Sequence, residues 1–93
     1  MLAIVLIAYR ASVDEVNAHT PAHRAYLAAL KEKGALVASG PFVPRTGGAL
    51  LLRVDREDEI AAIIAGDPFH TNDVADHEVK LWAPTIGREL LDP

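Results

Sequence analysis

The chain has 93 residues, of which 51% are hydrophobic and 24% are charged, and its formal net charge at pH 7 is −4. This length fits one domain, so we treat residues 1–93 as a single unit. The acidic balance and the scattered basic residues argue against a nucleic-acid partner. The sequence contains no cysteine, which excludes disulfides, thiolate catalysis and cysteine-based zinc sites. A cysteine-free chain is compatible with a cytoplasmic location, which we expect here.

The first nine residues, MLAIVLIAY, form an apolar run. The run lacks a basic leading region and is too short to span a membrane, so we expect neither a signal peptide nor a membrane partner. Its length and β-branched content are typical of a strand. Because almost every position is apolar, both faces of this strand need cover, and we expect a homodimer in which the second face packs against another subunit.

The next segment carries two helix-start signals. Ser12 and Glu15 have the form of a capping box. Pro21 is expected to interrupt the helix that begins there, with Thr20 as the N-cap of a second helix. Gly34 is the expected end of that second helix.

The rest of the chain alternates between strand and helix patterns. We expect short strands at residues 36–39 and 49–54, a helix capped by Asp55 and ended by Gly66, and a last strand at residues 77–83. The resulting order, βαββαβ, predicts an α+β ferredoxin-like sandwich. Its four-stranded antiparallel sheet would carry both helices on one face. The Pro- and Gly-containing residues 42–48 are expected to form a mobile loop near a pocket.

Two short motifs carry the main chemical signal: Thr20-Pro21-Ala22-His23 and Gly66-Asp67-Pro68-Phe69. Histidine is the side chain best suited to proton transfer near neutral pH. A carboxylate can hold an imidazole in one tautomer and raise its basicity. Taken alone, His23 is better explained as a structural histidine, and Asp67 as a helix N-cap. The structural and functional interpretations are compatible with each other.

The other histidines give weaker signals. His19 and His23 have the i, i+4 spacing of two metal ligands on one helix face, but Pro21 lies between them and no third ligand is evident. We therefore expect no metal site. His70 and His77 are expected on the surface. The chain has no nucleotide-binding fingerprint, and we expect no cofactor.

The segments Pro21-Ala22-His23, Ala38-Ser39-Gly40-Pro41 and Asp67-Pro68-Phe69 occur in an order and spacing that resemble the YciI-related (YCII) family, over roughly residues 1–84. The resemblance implies a dimeric ferredoxin-like α+β barrel with a small-molecule pocket. It assigns His23 and Asp67 as the catalytic pair of that pocket. It also places four residues against the substrate: Ser39, Gly40, Pro41 and Phe69.

The expected function is that of a small enzyme without a cofactor, of the lyase or isomerase type. His23 and Asp67 would act as a general acid–base pair on a small cyclic or aromatic molecule. Isomerisation, lactone chemistry and elimination all fit such a pair. The alternative is a non-catalytic small-molecule-binding or accessory protein that retains the fold and the pocket.

Overall fold

A computed structural model describes residues 1–91 of the chain. Its elements are β1 Leu2–Tyr9, α1 Val13–Glu32, β2 Leu36–Pro41, β3 Gly47–Arg53, α2 Glu57–Gly66, α3 Pro68–Thr71, β4 Ala75–Trp82 and α4 Arg88–Leu91. The strands form one sheet in the order β2-β3-β1-β4, and every neighbouring pair is antiparallel. This is the predicted ferredoxin-like α+β arrangement. No helix within residues 1–91 is long and apolar enough to cross a membrane.

The central strand β1 divides its side chains between the two faces of the sheet. Ala3, Val5 and Ile7 belong to the main core, which the helices cover. The alternating positions Ile4 and Leu6 point to the opposite face, where they are only half-buried. The core therefore lies between the sheet and the helices, and a second apolar surface remains on the other side of the sheet.

Helix α1 runs without a break from residue 13 to residue 32, so the prediction that Pro21 splits it is wrong. Proline removes one intrahelical hydrogen bond. The helix continues because buried residues on both sides of the proline, including Val16 and Leu27, pack into the same core. Thr20 lies inside the helix rather than capping a new one, and its hydroxyl donates to the carbonyl of Val16 at 2.9 Å.

Helix α2 begins after Arg56, so the prediction that Asp55 caps it is also wrong. The backbone N–H of Asp55 instead donates to the side chain of Glu59 at 3.1 Å, which closes the turn that precedes the helix. The helix ends at Gly66 as predicted. Strand β4 starts at Ala75, two residues earlier than expected.

Strands β2 and β3 extend further toward each other than expected, which leaves only residues 42–46 as a loop. Gly47 lies inside β3, and a Cβ at this position would be 1.8 Å from the carbonyl oxygen of Ile7. The backbones of β1 and β3 therefore approach so closely that only glycine fits. The mobility of the loop stays a prediction.

Candidate functional site

Asp67 occupies the junction between α2 and α3. Its position follows from the local sequence, since Pro68 begins α3 and the preceding aspartate caps it. The Asp67 carboxylate accepts the backbone N–H of Phe69 at 2.9 Å. The residue is 1% exposed, so the cap places a carboxylate inside the protein.

His23, on the buried face of α1, contacts this carboxylate directly. Its Nδ1 lies 2.7 Å from Oδ1 of Asp67, so the predicted hydrogen bond between the two residues is present. An ionised carboxylate only accepts hydrogen bonds, so Nδ1 carries the proton and Nε2 is left for other partners. The imidazole also stacks on Phe69, with ring centroids 3.7 Å apart and planes at 5°. The position and tautomer of the ring are both set by residues of α3 and its cap.

A second histidine bonds to the same carboxylate. Nε2 of His77 lies 3.2 Å from Oδ2 of Asp67, and the His77 side chain is only 2% exposed. The prediction of a surface position for His77 is therefore wrong. His77 pairs with Ile7 across the sheet and shares its inward orientation, which brings the ring under α3.

The geometry also assigns the tautomer of His77. Its Nδ1 is buried and has no hydrogen-bond partner among residues 1–91. A buried N–H without a partner destabilises the folded state, so the proton lies on Nε2, which donates to Asp67, and Nδ1 carries the lone pair. The carboxylate thus bridges two imidazoles, each of which donates one hydrogen bond to it.

These contacts determine the charge on Asp67. Burial alone raises the pKa of a carboxyl group, but the hydrogen bonds from His23, His77 and the Phe69 N–H, together with the charge interaction with His23, outweigh it. The pKa of Asp67 is held well below its ordinary value, and the group is ionised. Nearby, burial and the Asp67 charge raise the pKa of Tyr26, whose hydroxyl donates to the carbonyl of Ile63 at 2.8 Å.

A cavity of about 290 Å³ opens beside His23. It lies between α1, the loop at 42–46 and the ends of β1, β2 and β3. The residues that line it are Ile7, Tyr9, Thr20, His23, Arg24, Leu27, Ser39, Gly40, Pro41, Arg45, Gly47, Gly48, Ala49, Leu50 and Phe69.

The predicted substrate-contacting residues all lie in this lining: Ser39, Gly40, Pro41 and Phe69. His23 lines the cavity as well, whereas Asp67 lies behind the imidazole and does not reach the cavity. The structure therefore gathers the predicted site residues into one place. Their roles in binding or catalysis stay predictions.

Two arginines at the cavity were not expected from the sequence. Arg45, from the loop at 42–46, donates to the hydroxyl of Tyr9 at 3.2 Å and to Oδ1 of Asn17 at 2.7 Å. These bonds hold the loop against β1 and α1 at the cavity. Arg24 follows His23 on α1 and lines the same cavity. The sequence placed the loop near a pocket but gave no sign of which side chains it would present.

The remaining histidines lie outside this network. His70 is exposed, as predicted, and its ring lies edge-on to that of His77 with centroids 5.9 Å apart. His19 is half-buried on α1. No group of three or more His, Cys, Asp or Glu side chains within residues 1–91 is arranged to hold a metal ion.

The fold is similar to that of a 5-chloro-2-hydroxyhydroquinone dehydrochlorinase from Burkholderia phenoliruptrix AC1100, solved in complex with 2,5-dihydroxybenzoquinone. The two chains are 24% identical, with a TM-score of 0.79, and the match covers 91% of this chain and 96% of the other. A comparison with curated proteins gives no match. The family model described as the YCII-related domain matches residues 1–83. These matches confirm the predicted resemblance and the ferredoxin-like fold of the dimeric α+β barrel class, and the chain belongs to the YCII-related domain family.

Proposed function

We propose that this chain is an enzyme of the lyase or isomerase type that works without a cofactor. His23 would act as the general acid–base on a small cyclic or aromatic molecule in the cavity. One observation carries the proposal. The buried Asp67 carboxylate fixes Nδ1 of His23 at 2.7 Å, which leaves Nε2 as the nitrogen that can meet a bound molecule.

Each contact of His23 has a role in this proposal. Asp67 holds the tautomer in which Nε2 is a base, and its negative charge stabilises the imidazolium that forms when Nε2 takes a proton. Phe69 stacks on the ring and fixes its plane. His77 donates the second hydrogen bond to Asp67 and so restrains the carboxylate from its other side.

The cavity fits a single ring. Its apolar walls come from Ile7, Leu27 and Leu50, and its volume of about 290 Å³ lies at the small end of the range for ligand pockets. Ser39 lies on the wall formed by β2, where its hydroxyl can bond to a polar substituent. These features support a small cyclic or aromatic substrate.

The similar solved structure supports the class of chemistry. Its protein is a dehydrochlorinase and was solved with a quinone bound. Loss of HCl removes one proton and one chloride ion, changes no oxidation state overall, and needs a base for the proton. A held imidazole at a ring-sized cavity can supply that base here.

A proton-transfer assay tests the proposal across several classes of candidate substrate. The protein is incubated in D2O with cyclic enones, unsaturated lactones and 5-chloro-2-hydroxyhydroquinone. Deuterium incorporation is followed by NMR, and chloride release is measured for the chlorinated compound. We expect activity that His23→Asn abolishes and that Asp67→Asn reduces by roughly 10²–10⁴-fold. The exposed His70→Asn variant is the matched control and should retain full activity.

Absence of exchange, isomerisation and chloride release with the whole panel would contradict the enzyme proposal. Saturable ligand binding without any turnover would favour the alternative, a small-molecule-binding or accessory protein.

We further propose that the chain forms a homodimer through the open face of its sheet. Half-buried Ile4 and Leu6 lie on this face, and Leu51 pairs with Ile4 in the β1–β3 register. Trp82, at 42% exposure, pairs with Leu2 at its margin. A second copy would bury this apolar surface by packing sheet against sheet.

A further inference from the structure

The charged side chains around the cavity are of one sign. Arg24 and Arg45 line it, and no aspartate or glutamate within residues 1–91 does. The chain as a whole has the opposite balance, with 13 acidic residues and 9 arginines and lysines. The cavity is therefore a locally basic site on an acidic protein.

Neither arginine is neutralised by the part of the chain that the structure describes. The three nitrogens of the Arg45 guanidinium donate to uncharged acceptors: Asn17 Oδ1 at 2.7 Å, the Tyr9 hydroxyl at 3.2 Å and Thr20 Oγ1 at 3.5 Å. Arg24 has no carboxylate within ion-pair distance among residues 1–91. Arg45 is thus positioned by neutral groups while its charge stays unpaired.

Two other arginines on the surface do find carboxylates. Arg10 lies 3.1 Å from Asp73 and 3.2 Å from Asp76, and Arg56 lies 3.0 Å from Asp58. Two unpaired guanidinium groups beside one cavity are the arrangement expected where the counter-ion is a bound ligand. Guanidinium groups bind carboxylate and other oxyanions through charge-assisted hydrogen bonds.

Uncharged hydrogen-bond donors at the cavity also favour a negatively charged ligand. The Tyr9 hydroxyl accepts a hydrogen bond from Arg45, so its own proton is free to be donated toward the cavity that it lines. The Ser39 hydroxyl is also in the lining, whereas the Thr20 hydroxyl already donates to the Val16 carbonyl. A ligand oxygen with negative charge is an acceptor only, which matches this set of donors.

The Asp67 carboxylate is close to the cavity, but its single negative charge does not outweigh the two arginines in the lining. It is 1% exposed, lies behind the His23 ring, and accepts hydrogen bonds from His23, His77 and the Phe69 N–H. Its oxygens thus already accept hydrogen bonds from the protein and do not line the cavity.

We propose that the cavity binds a one-ring organic anion whose carboxylate or phenolate oxygen is held by Arg24 and Arg45, with the ring against the apolar wall. The inference rests on the proposed function, because it names the class of molecule that the same cavity takes. It places the anionic group at the arginine side and a ring atom toward His23.

Binding measurements with paired probes test this inference. Benzoate is compared with benzamide, its neutral isostere, and 4-nitrophenolate with 4-nitroanisole, each by titration followed through backbone amide NMR shifts. We expect each anion to bind at least about tenfold more tightly than its neutral partner. Arg24→Gln and Arg45→Gln should each raise the anion Kd about tenfold and leave the neutral probes unchanged, while Arg24→Lys should retain part of the affinity.

The control is Arg56→Gln, which removes the same charge from an exposed ion pair away from the cavity. It should leave anion binding unchanged. Equal affinity for charged and neutral probes, an equal loss in Arg56→Gln, or no saturable binding of either anion up to about 10 mM would overturn the inference. Binding of benzoate alone or of nitrophenolate alone supports it and tells carboxylate from phenolate.

The result separates this inference from the proposed function. Arginine-dependent anion binding without proton transfer would leave the anion site in place and remove the enzyme proposal. Turnover that is confined to neutral ring compounds and is unchanged in both arginine variants would support the enzyme proposal and remove the anion site.

Discussion

Asp67→Asn replaces the buried carboxylate with a neutral amide of nearly the same size. The carboxylate accepts three hydrogen bonds, from His23, His77 and the N–H of Phe69. An amide offers one accepting oxygen and one donating nitrogen. At least one histidine therefore meets a donor where it met an acceptor, and it must change its tautomer or lose its bond.

The hydrogen bonds to the carboxylate give the size of the effect, and its lowered pKa gives the sign. A hydrogen bond to a charged group contributes about 1 kcal/mol more than a neutral one, so three of them contribute about 3 kcal/mol. By linkage, the lowered pKa of Asp67 in the folded protein also stabilises the fold at neutral pH, so the two arguments have the same sign. We expect the variant to lose about 2–3 kcal/mol of unfolding free energy at neutral pH, which a domain with about 5–15 kcal/mol can tolerate.

The pH dependence has a definite sign. The pKa of Asp67 is lower in the folded protein than in the unfolded chain, so the unfolded chain binds more protons as the pH falls. The contribution of the carboxylate is complete above the unfolded pKa of about 4 and is lost as the pH falls through the folded pKa. The difference between wild type and variant should be largest above about pH 5 and should shrink toward about pH 2.

Urea unfolding followed by circular dichroism across this pH range measures the difference. The control is Asp76→Asn, which removes an exposed carboxylate bonded to Arg10 and should change stability by less than about 0.5 kcal/mol. Ring ¹⁵N shifts of His23 report whether Nδ1 still carries its proton. A stability difference that is constant with pH, or no difference from wild type, would refute the assignment of Asp67 as an ionised acceptor for the two histidines.

Three further predictions concern the rest of the fold. His77→Asn removes one donor from the buried carboxylate and should cost about 1–3 kcal/mol by thermal unfolding, whereas the exposed His70→Asn should cost almost nothing; equal effects would contradict the buried role. Gly47→Ala forces a Cβ to within 1.8 Å of a β1 carbonyl oxygen and should cost about 3 kcal/mol or more, while Gly40→Ala, with no atom within 4 Å, should melt close to wild type. Light scattering at micromolar concentration should give twice the chain mass, and Leu51→Glu on the open sheet face should give monomers; a monomeric wild type would exclude the dimer.

The parts of the site that the sequence predicts are those set by local chemistry. An aspartate before a proline at the start of a helical turn is an N-cap, and the structure has Asp67 in that position with Pro68 following it. The contact of this cap with His23 joins residues 44 positions apart, and no local pattern specifies it. It was predictable only because the βαββαβ order and the family resemblance place α1 beside the end of α2.

The prediction that Pro21 splits α1 was wrong because a tertiary effect outweighed a local rule. The local rule for proline in a helix is sound, because one hydrogen bond is lost. Tertiary burial outweighed it, since Val16, His23, Leu27 and Leu30 form a continuous buried stripe along α1 on both sides of the proline. The misplaced break would have made Thr20 a cap and separated His23 from the first half of the helix.

The alternation of side chains along β4 predicts which face His77 lies on but not how deeply it is buried. Its position in β4 has the same parity as Val79 and Leu81, so alternation alone places all three on the face toward the helices. Hydropathy would rank the histidine as the least buried of the three, yet Val79 and Leu81 are exposed residues, whereas His77 is half-buried as a residue and its side chain is only 2% exposed. The order is reversed because α3 packs over the beginning of β4, while Val79 and Leu81 line an open groove beside α2. Parity therefore identifies the face of a strand, but the ends of the covering helices decide which residue on that face is buried, and here they select the one that can bond to Asp67.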